Sequence, residues 1–413
     1  MNENLRKLVT VRTIDDINPI EGADAIEVAT IGGWNVVTKK GEFKAGDKCV
    51  YFEIDSFLPT GNPAWQFLVD KSPRTFEGVV GHRLRTIKLR GQVSQGFIIP
   101  LSATPEITDP QEGVDYADTF GIKKWEQPLP AELVGQAEGL FPSWMRKTDQ
   151  ERCQNLVNDI FQTEDVLVDF SIMAQTMTAE ALAALNEKGI IEWVGDGLGG
   201  RWMKVNKASV DDRYEVTMKL DGSSCTVFAR STISPEDPSL VQTESGVCSR
   251  NLQLKVNAEN ADNTFIRVAL QSGLLGALED MSRDGCGNVA VQGELMGPGI
   301  QGNRENLKVH QLFIFDVQFL DAGGGYLTPS ERGSFMRALY DRGVSPDLVK
   351  HVPVLYSGVT LAELGITNVK ELLAAAEHPS LVHPIAEGDV YKRMDGGFSF
   401  KAISNLFLAK EKD

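Results

Sequence analysis

Lys219 stands in the stretch YEVTMKLDGSS, Tyr214 to Ser224, where apolar Tyr214, Val216, Met218 and Leu220 alternate with polar Glu215, Thr217 and Lys219. Such alternation predicts a half-buried strand, and the Gly222-Ser223-Ser224 run ends the pattern. A lysine fixed near the end of a strand, two residues before Asp221, has the chemistry of a nucleophile. Its amine attacks only when neutral, a state that neighbouring cations or desolvation favour. The same residues also read as a surface lysine on an edge strand, because K-x-D-G is a short motif.

Further charged and aromatic residues follow on or near predicted strands. VCSRNLQL offers Arg250, VAVQGELMGPGIQGN offers Glu294 at the start of a Gly/Pro-rich loop, and LFIFDVQF carries Phe313, Phe315 and Asp316. EGDVYKR holds Glu387 and Lys392, and GFSFKAIS holds Lys401. Singly, each has a plain structural reading: a core aromatic, a loop-capping glutamate, a lysine whose stem lies along apolar surface. Together their chemistry is complementary. Lysines and an arginine neutralise a polyphosphate, two carboxylates hold a divalent metal or a ribose, and an aromatic stacks a purine. Phosphoryl and nucleotidyl transfer require that inventory.

The elements that must position these residues divide the chain. Residues 1 to about 100 read as short strands with turn signals, including AIEVATIGGWNVVTKK across Gly32-Gly33, which suggests a small barrel or sandwich. Arg83, Arg85, Lys88 and Arg90 fall in a stretch without acids between Val80 and Leu101. They read either as a phosphate track for nucleic acid or as a solvated strand face. Residues 102 to about 135 form a connecting stretch. LFPSWMRKTDQERCQNL then brings Lys147 and Arg152, with Thr148 and Glu151 spaced as a capping box.

Residues 164–211 look like an inserted unit, with a helix capped by Thr178 and stopped at Gly189, then a hairpin in IIEWVGDGLGGRWMKV. Beyond it, one helix is expected over Arg267–Met281, and another begins at Thr328 with Pro329 in its first turn and Glu331 completing a capping box. TLAELG and NVKELLAAAEH are expected helical pieces. The domain division expected is 1–130 and 131–413.

Composition sets limits. The 413 residues suffice for two or three cores, and the net charge of −16 disfavours whole-surface attraction to nucleic acid while permitting a local basic track. No apolar run reaches the ~20 residues of a membrane helix. Five cysteines without C-x-x-C spacing argue against zinc knuckles and a disulfide framework. With no signal-peptide core in MNENLRKLVTV, a cytoplasmic location is expected.

The motif order KLDGSS, CSRN, GELMGPG, FIFDV, EGDVYK and SFKAIS resembles the covalent nucleotidyltransferases, the superfamily of ATP-dependent ligases and mRNA capping enzymes. GELMGPGIQ and SFKAIS are similar to the RNA ligases. IEGADAIEVATIGGWNVVTKKGEFKAGDKCVYFEIDSFLP and FPSWMRKTDQERCQNL are similar to the Deinococcus-type nick-sealing RNA ligases, which carry an N-terminal OB domain. The resemblance implies an α+β chain, an N-terminal OB-like β-barrel followed by a nucleotidyltransferase (ATP-grasp-like ligase) domain built on antiparallel sheets with flanking helices. It implies ATP and Mg2+ (or Mn2+) as cofactors. The implied partner is RNA, as a nicked duplex with RNA at the 3′-hydroxyl side, with no membrane and no protein partner expected.

By resemblance, Lys219 attacks the α-phosphate and becomes lysyl-AMP, and Asp221 and Gly222 complete that motif. Arg250 contacts ribose or phosphate, Phe315 stacks the adenine, Glu294 engages the ribose or a metal-bound water, Glu387 lies near the metal, and Lys392 and Lys401 grip the α-phosphate. Arg83, Arg85, Lys88, Arg90, Lys147 and Arg152 are the expected nucleic-acid contacts. Ser399 departs from the pattern, since many relatives have a lysine there. A DNA ligase or guanylyltransferase shares the lysine chemistry but commonly carries its OB domain after the transferase domain. A non-catalytic RNA-binding protein is disfavoured because Lys219, Glu294, Glu387 and Lys401 are all present.

Overall fold

Tyr214–Lys219 is a strand, but an interior one. In the computed structural model, which describes residues 6–126, 131–161, 166–171, 177–187, 191–195, 201–205, 212–233, 241–321 and 324–410, it lies in a four-stranded sheet. The order is Val354–Val359, Tyr214–Lys219, Gly388–Arg393, Ser399–Ile403, all antiparallel. Tyr214 and Val216 enter a core with Tyr391, Phe400 and Ala402, where the Tyr391 and Phe400 rings stack 4.8 Å apart. Glu215 and Thr217 on the opposite face are buried too. The alternation therefore separates a core face from a cleft face, not a core from solvent.

A seven-stranded sheet faces it. Its central strands are Val241–Cys248, Ser223–Ile233, Val289–Met296 and Gln311–Phe319. The edge strand Val349–His351 runs parallel to Gln311–Phe319, so the sheet is mixed and not purely antiparallel. Along Val289–Met296, Val289, Val291 and Leu295 face the helices Thr264–Gln271, Leu274–Arg283 and Pro329–Asp341, which bury Ile266, Leu278 and Leu339 against them. The alternate residues Gln292, Glu294 and Met296 are left for the other face.

Two helices replace the one expected over Arg267–Met281, because the chain breaks at Ser272-Gly273, with Gly273 at φ +76°. The expected capping box of Thr328 and Glu331 is present, with Pro329 in the first turn. That of Thr148 and Glu151 is not: Thr148 begins no helix, and its hydroxyl donates to Gln292 Oε1. The segment expected to be an insertion pairs Arg201–Val205 with Val166–Asp169 and Ile191–Gly195 beside a helix, Ala179–Glu187, around Leu182, Ile191 and Met203. Gly189 lies outside the described residues.

The N-terminal region corrects the barrel expectation. Its strands fall into separate small sheets, among them Val9–Thr13, Lys48–Phe52, Phe97–Pro100 and Asp16–Pro19, Ile26–Ile31, Trp34–Lys39. Among the described residues none closes on itself, whereas a barrel needs an unbroken ladder around its girth. The strands are short and end in turns. Where Trp34–Lys39 runs beside Gln92–Gln95, the Val37 amide donates to the Ser94 hydroxyl at 2.9 Å and no backbone ladder forms. Lys48–Phe52 is buried on both faces: Val50 and Phe52 feed one core, Cys49 and Tyr51 another. The second core includes Ile403 and Leu408, so the N-terminal region packs on the end of the chain.

Candidate active site

Strand register assembles the site. Lys219 pairs with Gly388, Thr217 with Val390, and Glu215 with Lys392, while Val390 pairs with Lys401. Lys219, Lys392 and Lys401 thus share the cleft face, and Ser399 lies opposite Lys392. Gly388 is required there, since at φ +150° a Cβ would collide with the Ala402 carbonyl. From the facing sheet come Glu294 and Phe315. One cavity is lined by Lys219, Arg250, Glu294, Phe315, Lys392 and Lys401, together with Thr148, Asp149 and Gln150.

A bulge presents Phe315. Gln292 pairs with Asp316 and Gly293 with Ile314, so Phe315 is an extra residue without a partner across the ladder. Its carbonyl is thereby available to the Lys392 ammonium at 2.6 Å, and Asp316 Oδ1 accepts from the same Nζ at 2.5 Å. Behind them lies the fully buried Arg332. It pairs with Glu215 and donates from Nε to His351 Nε2 at 2.8 Å. An arginine only donates, so His351 carries its proton on Nδ1 and gives it to the Val352 carbonyl at 2.6 Å. Burial and the Arg332 charge hold that imidazole below its usual pKa.

The Lys219 Nζ lies 2.6 Å from Glu387 Oε1. Burial pulls the amine down, but the Glu387, Glu294 and Asp221 carboxylates outweigh it and hold the group above the usual lysine range. These carboxylates favour the protonated amine, the reverse of the cation-lowered lysine that the sequence reading of a nucleophile expects. Glu294 accepts from the Gly222 amide at 3.0 Å, and burial pushes its carboxyl up to about 7. Lys401 is drawn down to about 8 by burial, against the pull of Asp149.

Among the described residues no three His, Cys, Asp or Glu side chains converge as a metal cage. Glu294 and Glu387 nevertheless leave one ammonium between two carboxylates, an oxygen-only set that suits a hard divalent cation completed by phosphate and water. A proton on Glu294 competes with that cation. The metal concentration for half-maximal activity is therefore expected to rise as pH falls below about 7, by up to about tenfold per pH unit. A metal titration flat across that range would remove Glu294 from the metal side.

The expected RNA contacts do not line this cavity. Arg83 pairs with Asp55 at 2.8 Å, Arg85 is half-buried, and Lys88 and Arg90 are exposed. Lys147 donates to Asn251 at 2.9 Å, and Arg152 is buried with its guanidinium 5.8 Å from the Trp34 ring centre. Sequence reasoning missed Asp149, Arg304, Glu215 and Arg332. Arg304 lies 3.7 Å from Asp221 and donates to the Ile385 carbonyl at 2.7 Å, joining the Lys219 motif to the segment before Glu387. Alternation placed Glu215 on the Lys219 face without giving it a role, and no spacing signal marked Asp149, Arg304 or Arg332, whose partners are distant in sequence.

Residues 8–101 match a family described as an OB-fold domain, and residues 212–403 match the RNA ligase family. No curated protein matches the chain. Among solved structures, a Naegleria gruberi RNA ligase with pyrophosphate is 38% identical over 99% of this chain and 100% of that one, with a TM-score of 0.75. Variants of the same ligase with AMP and manganese, and with ATP and manganese, are each 38% identical over 99% of this chain and 100% of theirs, at TM-scores of 0.74 and 0.72. A strand lysine in a cleft between two sheets, faced by two glutamates, an aromatic ring and further lysines, defines a covalent nucleotidyltransferase. Within that class the chain belongs to the RNA ligase family, with an OB-fold region ahead of the transferase domain.

Proposed function

We propose that this ATP-dependent RNA ligase joins 3′-hydroxyl and 5′-phosphate ends at nicks in duplexes, with Lys219 as the residue that carries AMP. One observation carries the assignment of Lys219: its register places it in the same cavity as Glu294, Phe315, Lys392 and Lys401. Its Nζ, donating to Glu387 at 2.6 Å, gives up its proton, and Glu387 is the acceptor within reach. The neutral amine forms a bond to the α-phosphorus of ATP as the bond to pyrophosphate breaks. AMP then passes to the RNA 5′-phosphate, and the 3′-hydroxyl displaces AMP to seal the strand.

Phe315 offers the half-buried ring for adenine, and Lys392 and Lys401 neutralise the α-phosphate. Glu294 and Glu387 would hold a divalent cation, which supplies positive charge against the charge developing on the phosphate. The Naegleria gruberi ligase structures with AMP and manganese and with ATP and manganese support a nucleotide and a divalent cation as cofactors.

The nicked-duplex reading rests on the resemblance and on the exposed Lys88 and Arg90 in the N-terminal region. Sealing is expected to be faster when the 3′-hydroxyl strand ends in RNA than when it is all DNA, by at least about tenfold. Equal rates on the two nicks would overturn the strand preference.

A further inference from the structure

Asp149 lines the cavity together with its neighbours Thr148 and Gln150, and three cations converge on it. Lys401 Nζ lies 2.5 Å from Oδ1, while Arg250 and Lys124 lie 3.6 and 3.9 Å from Oδ2. They come from three separate parts of the chain. The segment is anchored independently of this carboxylate, since the Glu151 carbonyl accepts from the Lys401 amide at 2.8 Å and Asn155 accepts from Arg12 and from Trp34. The Asp149 side chain itself is 46% exposed, whereas that of Lys401 is 16% exposed. Solvent therefore reaches the anion more than the cation.

We infer that Asp149 is a built-in phosphate surrogate, a positioning residue that holds Lys401 and Arg250 until the nucleotide binds and yields them to its phosphate. This rests on the reading of the cavity as the nucleotide site. An oxygen anion with several converging cations has the arrangement a phosphate group takes. Carboxylate and phosphate are like charges, so they cannot share one set of cations without repulsion. Without Asp149, the three cations would repel one another in the empty site and favour a phosphate more strongly. The carboxylate therefore weakens ground-state phosphate binding and keeps Lys401 aligned between turnovers.

AMP and adenosine, bound to the whole chain without metal, separate this role from general support of the cavity. In Asp149→Asn the dissociation constant for AMP is expected to fall by on the order of tenfold, with that for adenosine unchanged, because only AMP carries the competing group. Asp149→Glu keeps the charge and should bind AMP as the natural chain does. AMP affinity that stays the same or weakens in Asp149→Asn, or equal shifts for AMP and adenosine, would overturn the inference. Self-adenylylation of the unaltered chain with ATP, run alongside, reports on the nucleotide-site reading separately.

Discussion

Lys219→Ala is expected to abolish the acid-labile adduct formed with ATP labelled in its α-phosphate, reducing it by at least about a thousandfold. The substitution would remove the proposed attacking atom and disturb little else, because the half-buried Lys219 lines the cavity and its partner Glu387 keeps 15% of its side chain exposed. The competing candidate is specific. Lys401, drawn down to about 8 by burial, is more easily deprotonated in the empty site than Lys219, which three carboxylates hold protonated. An adduct that survives in Lys219→Ala and disappears in Lys401→Ala would reassign the nucleophile. Position argues for Lys219, which pairs in register with Gly388 and so meets Glu387 at 2.6 Å, whereas Lys401 is engaged by Asp149 at 2.5 Å.

The largest loss of stability is expected from Arg332→Ala. Arg332 is fully buried, pairs with Glu215 on the nucleophile strand, donates to His351, and has Nη1 3.8 Å from Asp316. Its removal leaves Glu215 buried without its cation and Asp316 with Lys392 alone. Breaking a buried pair from one side costs about 3–5 kcal/mol, readable in urea unfolding of the whole chain. A loss below about 1 kcal/mol would mean that water replaces the guanidinium, as it does for exposed pairs. Glu215 pairs with Lys392 in register, so any folded Arg332→Ala protein should also adenylylate slowly.

Residues that recur at strand spacing could be found without coordinates. YEVTMKLDG encodes its strand by alternation, and FIFDV, EGDVYK and SFKAIS each encode another, so the lysines, the glutamates and Phe315 stood out in order along the chain. Local chemistry likewise located the Thr328 cap and the Gly32-Gly33 hairpin. It failed where the deciding partner was remote. Thr148 has a cap's spacing, yet its hydroxyl is taken by Gln292 from another strand. Barrel closure depends on whether distant edges meet, which short alternating strands cannot specify.

The sequence by itself determined the inventory: one strand lysine, its companion cations, two glutamates and an aromatic, in an order that identified the chemistry. Only the tertiary structure decided their electrostatic state. The neighbouring carboxylates favour the charged form of Lys219, a bulge leaves the Phe315 carbonyl to Lys392, and Asp149 engages Lys401 and Arg250. Charge interactions act through space and depend on burial, and neither the distances nor the burial is written in residue order.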